Sequence, residues 1–477
     1  MKRRFVSRRA FIKDCAAGAS ALLTSTLMTR TSTAASDKRP NILFIFTDDQ
    51  REDTIHALGN PAIITPNLDR LAERGTVFSN AYCMGGYSAA VCLPSREMML
   101  TGQSWFRVRD LPSEAPNIAR TFREAGYLTY HIGKRGNTAR KVHPFFEISH
   151  YVQDVSPYRN EREILNAGQP GKIVADNAVN FLKQYQAAGE QRPFFMYLAG
   201  PAPHDPRVAP QEYLDKYDVE TIPLPPNYLP YHPFDNGEMT IRDEKLAPWP
   251  RTTAEIRRHL RDYYAVITYL DEQIGRIINA LKDIGQYDNT IIVFSSDQGL
   301  AIGSHGLMGK QNIYEHSMGV PLIFAGPGVP KVSDAFVYSF DVYPTLCDLA
   351  GILEPTDIQG ESFADVVRGR TDRAREVIFL AYKNTQRAIR RENWKMIRYA
   401  QINHTQLFHL KDDPYETVNL AEHPDYADKV EDMLNLMKLQ QQKFGDQTPL
   451  TSPNPQKASV DVAWFQRQLE KGNEQKK

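Results

Sequence analysis

Three short polar clusters hold much of the chain's chemical capacity, and each lies at or just beyond the end of an apolar run. Asp48-Asp49 follows Asn41–Thr47, Pro203-His204-Asp205-Pro206 comes shortly after the run ending at Ala199, and Asp297-Gln298-Gly299 follows Thr290–Ser295. Three carboxylates (Asp48, Asp49, Asp297) and the amide oxygen of Gln298 are hard oxygen donors. They suit Ca²⁺ or Mg²⁺ and suit zinc poorly. Taken singly, each aspartate fits equally well as a cap on a following helix. Together they point to a bound cation. His204 adds a group that titrates near neutral pH. A further segment, Cys92-Leu93-Pro94-Ser95-Arg96 running on to Leu100-Thr101-Gly102, adds a thiol and a guanidinium.

These groups need elements to carry them. Continuous apolar runs at 41–47, 193–199, 290–295 and 321–325 predict strands buried on both faces, as in a parallel sheet. Between them, Tyr263, Ile267, Leu270, Ile274, Ile277, Leu281 and Ile284 recur at three- and four-residue steps and predict a helix over 253–284. The fold class is therefore α/β, a large mostly parallel sheet flanked by helices, with ligands bound beyond the carboxyl ends of its strands. A proline-, tyrosine- and aspartate-rich stretch from 201 to 250 reads as a long ordered excursion that shapes a substrate site. After Gly369 short alternating runs (377–381, 388–391, 394–398, 406–410) predict a small antiparallel sheet, followed by one helix over 426–444. The expected organisation is a catalytic unit over 36–369, an α+β subdomain over 370–444, and a polar, loose tail over 445–477.

At 477 residues the chain exceeds what one core supports, in keeping with two units. Lysine plus arginine equals aspartate plus glutamate at 57 each, but residues 1–35 hold seven basic residues and one acidic one. The remainder carries 50 basic and 56 acidic residues, which argues against a nucleic-acid partner. Residues 1–35 combine a basic start, a short apolar stretch and a small-residue run ending Thr33-Ala34-Ala35, the layout of a cleaved leader. Ser7-Arg8-Arg9 through Lys13 resembles a twin-arginine export signal, so the expected partner is that export machinery and the expected place is periplasmic or secreted. No apolar run reaches the roughly 18 residues of a membrane span. Beyond the leader three cysteines remain, Cys83, Cys92 and Cys347, so at least one is unpaired or modified.

Cys92-x-Pro94-Ser95-Arg96 followed by Leu100-Thr101-Gly102 resembles the signature of the type I sulfatase family, within the alkaline-phosphatase-like superfamily. Further motifs of that family occur in order over most of 40–440. They are Pro40-Asn41-Ile42-Leu43 with Asp48-Asp49, Gly133-Lys134, Pro203-His204, Ser296-Asp297-Gln298-Gly299, His305-Gly306 with Gly309-Lys310 and Tyr314-Glu315, and Asp413-Pro414 with Glu416 and Asn419-Leu420. The resemblance implies that a maturation enzyme oxidises Cys92 to formylglycine, whose hydrate is the nucleophile. It implies one Ca²⁺, in preference to Mg²⁺, held by Asp48, Asp49, Asp297 and Gln298. Arg96, Lys134 and Lys310 would surround the sulfate, and His204, with Lys310, would protonate the leaving oxygen. The nucleophile would stand at the start of a helix, where free N–H groups favour an anion.

The implied substrate is a sulfated carbohydrate, with His143, His305 and Arg207 as candidate contacts. Two positions depart from the pattern. The family places histidine two residues after the lysine, to help deprotonate the hydrate, whereas Lys134 is followed by Arg135-Gly136; His143 is the nearest substitute. Gln298 stands where asparagine or histidine is commoner. Two other readings remain open: hydrolysis of phosphate diesters or phosphonate esters on the same fold, and non-catalytic binding of sulfated glycans.

Overall fold

A computed structural model of the chain describes residues 39–463 and 467, apart from 327 and 329. The leader expected over 1–35 lies outside the described residues. Among the described residues thirteen strands form two sheets. In chain order they are β1 (Asn41–Thr47), β2 (Gly75–Tyr82), β3 (Gly85–Gly86), β4 (Leu128–Gly133), β5 (Ile148–Tyr151), β6 (Phe194–Ala199), β7 (Thr290–Ser296), β8 (Leu322–Ala325), β9 (Lys331–Tyr338), β10 (Val377–Tyr382), β11 (Gln386–Arg391), β12 (Trp394–Tyr399) and β13 (His404–His409).

The large sheet runs β5-β4-β6-β1-β7-β8-β2-β9. Every neighbouring pair in it is parallel except those made by β8, which runs antiparallel to both β7 and β2. Strand β8 thus departs from the parallel reading of 321–325. An apolar run buried on both faces fixes burial and says nothing of direction. The central strand β1 is buried at every position. Its alternate residues face opposite layers. Ile42, Phe44 and Phe46 pack on one side with Phe195, Tyr197, Val293 and Phe324. Leu43 and Ile45 pack on the other with Met196, Leu198, Ile292 and Phe294, under the helices α1 (Pro66–Arg74), α3 (Pro170–Ala187) and α4 (Thr253–Asp283). Thr252 caps α4, its side chain accepting from the Glu255 N–H at 3.2 Å. The helix α2 (Cys92–Thr101) belongs to the first layer.

The small sheet runs β13-β12-β11-β10-β3 and is antiparallel but for β3, which lies parallel to β10. That two-residue strand comes from the segment leading to Cys92, so the second sheet grips the approach to α2. Gly85 permits this: it sits at φ +107, and a Cβ there would lie 2.2 Å from the Ala381 carbonyl oxygen. The helix α5 (Ala427–Phe444) covers the small sheet through Met433, Met437 and Phe444.

The tail from Gly445, expected to be loose, is held as far as 458. The Asp446 carboxylate accepts from Arg387 Nε and Nη2 at 2.6 and 2.9 Å, and both side chains are buried. The Asp235 and Gln401 main chains then bind Ala458 and Gln456. The cause lies in β11, where a buried guanidinium requires an anion, a need that the polar tail sequence does not reveal. Among the described residues no helix is long and apolar enough to cross a membrane.

Candidate active site

Strands β1 and β7 are neighbours in register, Thr47 beside Ser296, so their ends deliver Asp48, Asp49, Asp297 and Gln298 to one place. Asp49 adopts φ +62, uncommon for a residue with a side chain. Its neighbours over-determine it: its N–H donates to Asp297 Oδ1 at 3.0 Å and its carbonyl accepts from the Tyr263 hydroxyl at 2.6 Å. Such conformations cluster at functional sites.

Helix α2 starts at Cys92, aiming its N-terminal end at this cluster. Cys92, Ser95 and Arg96 stand at i, i+3 and i+4 and share one face. The Cys92 thiol donates to Asp48 Oδ1 at 3.2 Å, and Ser95 Oγ to the Asp297 carbonyl at 2.6 Å. Arg96, expected among the cations facing sulfate, is placed between carboxylates. It donates to Asp297 at 3.0 Å and Asp48 at 3.2 Å, and to the carbonyls of Thr47 and Ala199, and none of its side chain reaches solvent. It holds the aspartates in place.

Lys134, just past β4, pairs with Asp48. Lys310 Nζ lies 2.7 and 2.9 Å from the Asp49 oxygens and 3.2 Å from Cys92 Sγ. Burial opposes the charge on either lysine, but Asp48 and Asp49 respectively hold their pKa values above the ordinary one. Burial, then Asp297 and Asp48, push the Cys92 thiol well up, so the unmodified side chain is a neutral thiol.

His204 sits at the mouth, its side chain 21% exposed where its neighbours are nearly closed off. Nδ1 meets the Asp205 carbonyl at 2.7 Å, so it carries hydrogen, and Nε2 turns inward, 3.7 Å from Asp49 Oδ2.

The donor set fits a hard cation. Ligand atoms of Asp48, Asp49, Cys92 and Asp297 all lie within 4.8 Å of one another. Gln298 Oε1 is buried with no hydrogen-bond partner, while its Nε2 reaches Asp49 at 2.6 Å and Cys92 at 3.1 Å. A buried amide oxygen left unsatisfied beside carboxylates is a donor that a hard cation could use. Burial and the neighbouring Asp48 raise Asp297, whereas Lys134 and Arg96 outweigh burial to hold Asp48 low.

The other sequence candidates are placed elsewhere. His143 is buried, its ring 3.9 Å from that of His131 and Nδ1 3.3 Å from the Tyr151 hydroxyl; burial first, then Arg96, brings it down to about 3. His305 stacks on Tyr314 at 4.0 Å, and its main-chain N–H donates to the Asn227 carbonyl. Arg207 packs over the Tyr263 ring and meets His259 Nδ1 at 3.3 Å.

Sequence reading passed over the supports of the Lys310 loop. The Glu244 carboxylate accepts the N–H groups of Met308 and Gly309 at 2.8–3.1 Å and pairs with the buried Arg251 at 2.6 Å. Asp243 accepts from Gln311 at 2.7 Å. The 201–250 excursion therefore braces the segment that carries Lys310. Its density of prolines beside paired charges was the available signal.

A mostly parallel sheet whose carboxyl edge gathers a carboxylate cluster, inward lysines and the start of the helix that carries Cys92 suits a hydrolase of anionic esters. Comparison with known proteins makes the class specific: the family model "Sulfatase" matches residues 40–352, and the chain belongs to the sulfatase family. A model described as N-sulphoglucosamine sulphohydrolase, C-terminal, matches 303–443. The chain is 27% identical to an N-acetylglucosamine-6-O-sulfatase of Bacteroides thetaiotaomicron, over 86% of this chain and 88% of that one. It is 32% identical to a choline-sulfatase of Rhizobium meliloti, over 81% and 83%. Among solved structures, a protein in complex with its substrate D-glucosamine-2-N,6-O-disulfate superposes with a TM-score of 0.71 at 25% identity, covering 87% of this chain and 99% of that one. A phosphonate monoester hydrolase from Silicibacter pomeroyi has a TM-score of 0.70 at 23% identity, covering 86% and 96%, a likeness of fold.

Proposed function

We propose that this sulfatase removes sulfate from a sulfated carbohydrate, using formylglycine formed from Cys92 and one Ca²⁺. The observation that carries this reading is the convergence on Cys92 Sγ of Lys310, Gln298 and Asp48, each within 3.2 Å, inside a buried nest of oxygen donors. Relatives named for glucosamine sulfates support the carbohydrate class.

Asp48, Asp49, Asp297 and Gln298 would hold the ion, which supplies positive charge opposite the sulfate oxygens. A hydrated formylglycine at 92 would supply an oxygen nucleophile that the neutral thiol is not. The chain's own groups do the rest. Lys134 and Lys310, both buried, present ammonium groups to the equatorial oxygens, where fixed charge acts strongly. Arg96 keeps Asp48 and Asp297 aligned. His204 donates its Nε2 proton to the departing sugar oxygen, its ring fixed by the Nδ1 bond to Asp205. We further propose export through the 1–35 leader by the twin-arginine machinery; cell fractionation of a variant with Arg8 and Arg9 changed to lysine tests this.

The functional test uses protein co-produced with a maturation enzyme. Peptide mass spectrometry is expected to find aldehyde in place of thiol at 92, and turnover of aryl and oligosaccharide sulfates is expected to track its extent. Cys92→Ala should abolish turnover with little change in melting. Activity in a preparation holding only unmodified Cys92 refutes the mechanism. Faster turnover of an aryl phosphonate than of any sulfate would favour the phosphonate reading, and ligand-induced melting shifts without turnover the binding-only one.

A further inference from the structure

Gly136 stands two residues past Lys134, and its backbone does not call for glycine, since its φ lies outside the left-handed region. A Cβ built there meets one atom within 4 Å, Oε2 of Glu161, at 3.0 Å. The absent side chain leaves room for a carboxylate. Glu161 opens the helix Glu161–Asn166, whose cap Asn160 accepts from the Glu163 N–H at 3.0 Å. Its Oε2 also faces the Gln153 amide at 3.5 Å. The two segments are tied once more by Arg135, which pairs with Asp154 and lies over the Tyr151 ring.

The charged groups acting on this carboxyl are those of the active site: Lys134 foremost, then Asp48, His204 and Arg96. Burial raises its pKa while Lys134 pulls it down. His143, by comparison, is held between His131 and Tyr151.

We propose that Glu161 is the proton acceptor for the second half of the reaction, standing in for the histidine that Gly136 replaces. The proposal rests on the formylglycine reading of position 92. Glu161 takes the proton of the free hydroxyl at residue 92, directly or through one water. The electron pair of that O–H bond becomes the C=O bond, and the C–O bond to the sulfuryl group breaks with its pair on the departing sulfate. Protonated Glu161 then releases its proton to solvent. Aldehyde, sulfate and carboxylate are regenerated, and no further reactant is needed.

The test mixes the modified holoenzyme with p-nitrophenyl sulfate and quenches early. In Glu161→Gln, steady turnover should fall by about 10²–10⁴-fold, after a burst of phenol stoichiometric with formylglycine. The residue-92 peptide should retain a sulfuryl group in quenched mass spectra, and melting should be unchanged. Wild type should show neither burst nor retained group. Placing Gly136→His on Glu161→Ala should restore turnover and remove the burst. Glu161→Gln turning over like wild type, or slowed with no burst and no retained sulfuryl group, overturns the proposal. A modified wild type that releases no phenol, or an unmodified one that does, refutes the formylglycine reading and this proposal with it.

Discussion

His204 has its ring oriented by one main-chain contact. Its Nδ1 is committed to a backbone carbonyl, so only Nε2 can serve a leaving oxygen. General-acid help matters most when the leaving group is a poor one, and it is typically worth 10²–10⁴-fold. His204→Ala should therefore lose about that factor on a sugar sulfate and far less on an activated aryl sulfate. Turnover plotted against the leaving-group pKa for both proteins checks this; parallel lines would remove His204 from the acid role. Gln298 carries a second expectation, because its unpartnered Oε1 is the donor left for a cation. Chelation should lower melting temperature and activity together, and Ca²⁺ should restore both, since a ligand bound to the native state stabilises it by about 2.7 kcal/mol at 100 times its Kd. A Gln298→Leu protein should need more Ca²⁺ for the same recovery. Full activity after exhaustive chelation would contradict the metal assignment.

At the scale of elements, the Lys310 loop depends on a segment whose only regular structure at Glu244 is a single 3-10 turn, Asp243–Leu246. Glu244 and Arg251 form a buried ion pair, and Glu244 also accepts two loop N–H groups. Removing one partner of such a pair typically costs about 3–5 kcal/mol, because the other charge stays buried alone. Arg251→Leu should shift the denaturation midpoint by that amount and lower turnover as Lys310 loses its support; a shift below about 1 kcal/mol would mean that the pair is dispensable. This dependence marks where sequence reading stops. Strands β1, β6 and β7 were legible because burial on both faces demands unbroken apolar runs, and α4 because its apolar stripe repeats over many turns. The strand-end clusters followed from those two facts. Strands β2, β4, β5 and β9 were not read, since their residues mix exposed and buried positions or lie among polar segments. Neither Glu161 nor Glu244 could be tied to its lysine, because each acts across a gap of tens of residues that only tertiary packing closes.

The whole molecule has a further consequence in its buried histidines. Burial, ahead of any neighbouring charge, holds His143 and His305 down at about 3, His232 and His259 at about 4, and His131 and His316 lower than usual. In the unfolded chain each would take up a proton near 6.5. From there down to about 3–4 the unfolded state binds more protons, so stability falls as pH falls, by up to about 1.4 kcal/mol per pH unit for each group. The acids that burial raises oppose this, with Glu97, Glu161, Glu244 and Glu354 above their ordinary range and Asp271, Asp297 and Glu416 further up. Burial raises Asp271 and Asp297 to about 6 and Glu416 to about 7, so the native state takes up their protons first and gains stability over part of the same range. The histidines, His404 with them, titrate in the unfolded chain near 6.5, above Asp271 and Asp297, and a cation on Asp297 would remove that acid from the opposing set. The denaturation midpoint should therefore drop as pH falls from about 7 to about 6, where the unfolded chain's histidines take up protons ahead of most of the raised acids. His316 isolates the cause: it is buried with both ring nitrogens unpartnered and lies beside the Tyr314 ring. Phenylalanine there removes one protonation without removing a hydrogen bond. His316→Phe should flatten the acid limb by close to one proton's worth of slope while leaving stability at pH 8 nearly unchanged. A midpoint that holds or rises on acidification in the wild type, or an unaltered slope in His316→Phe, would show that the buried imidazoles do not govern acid stability.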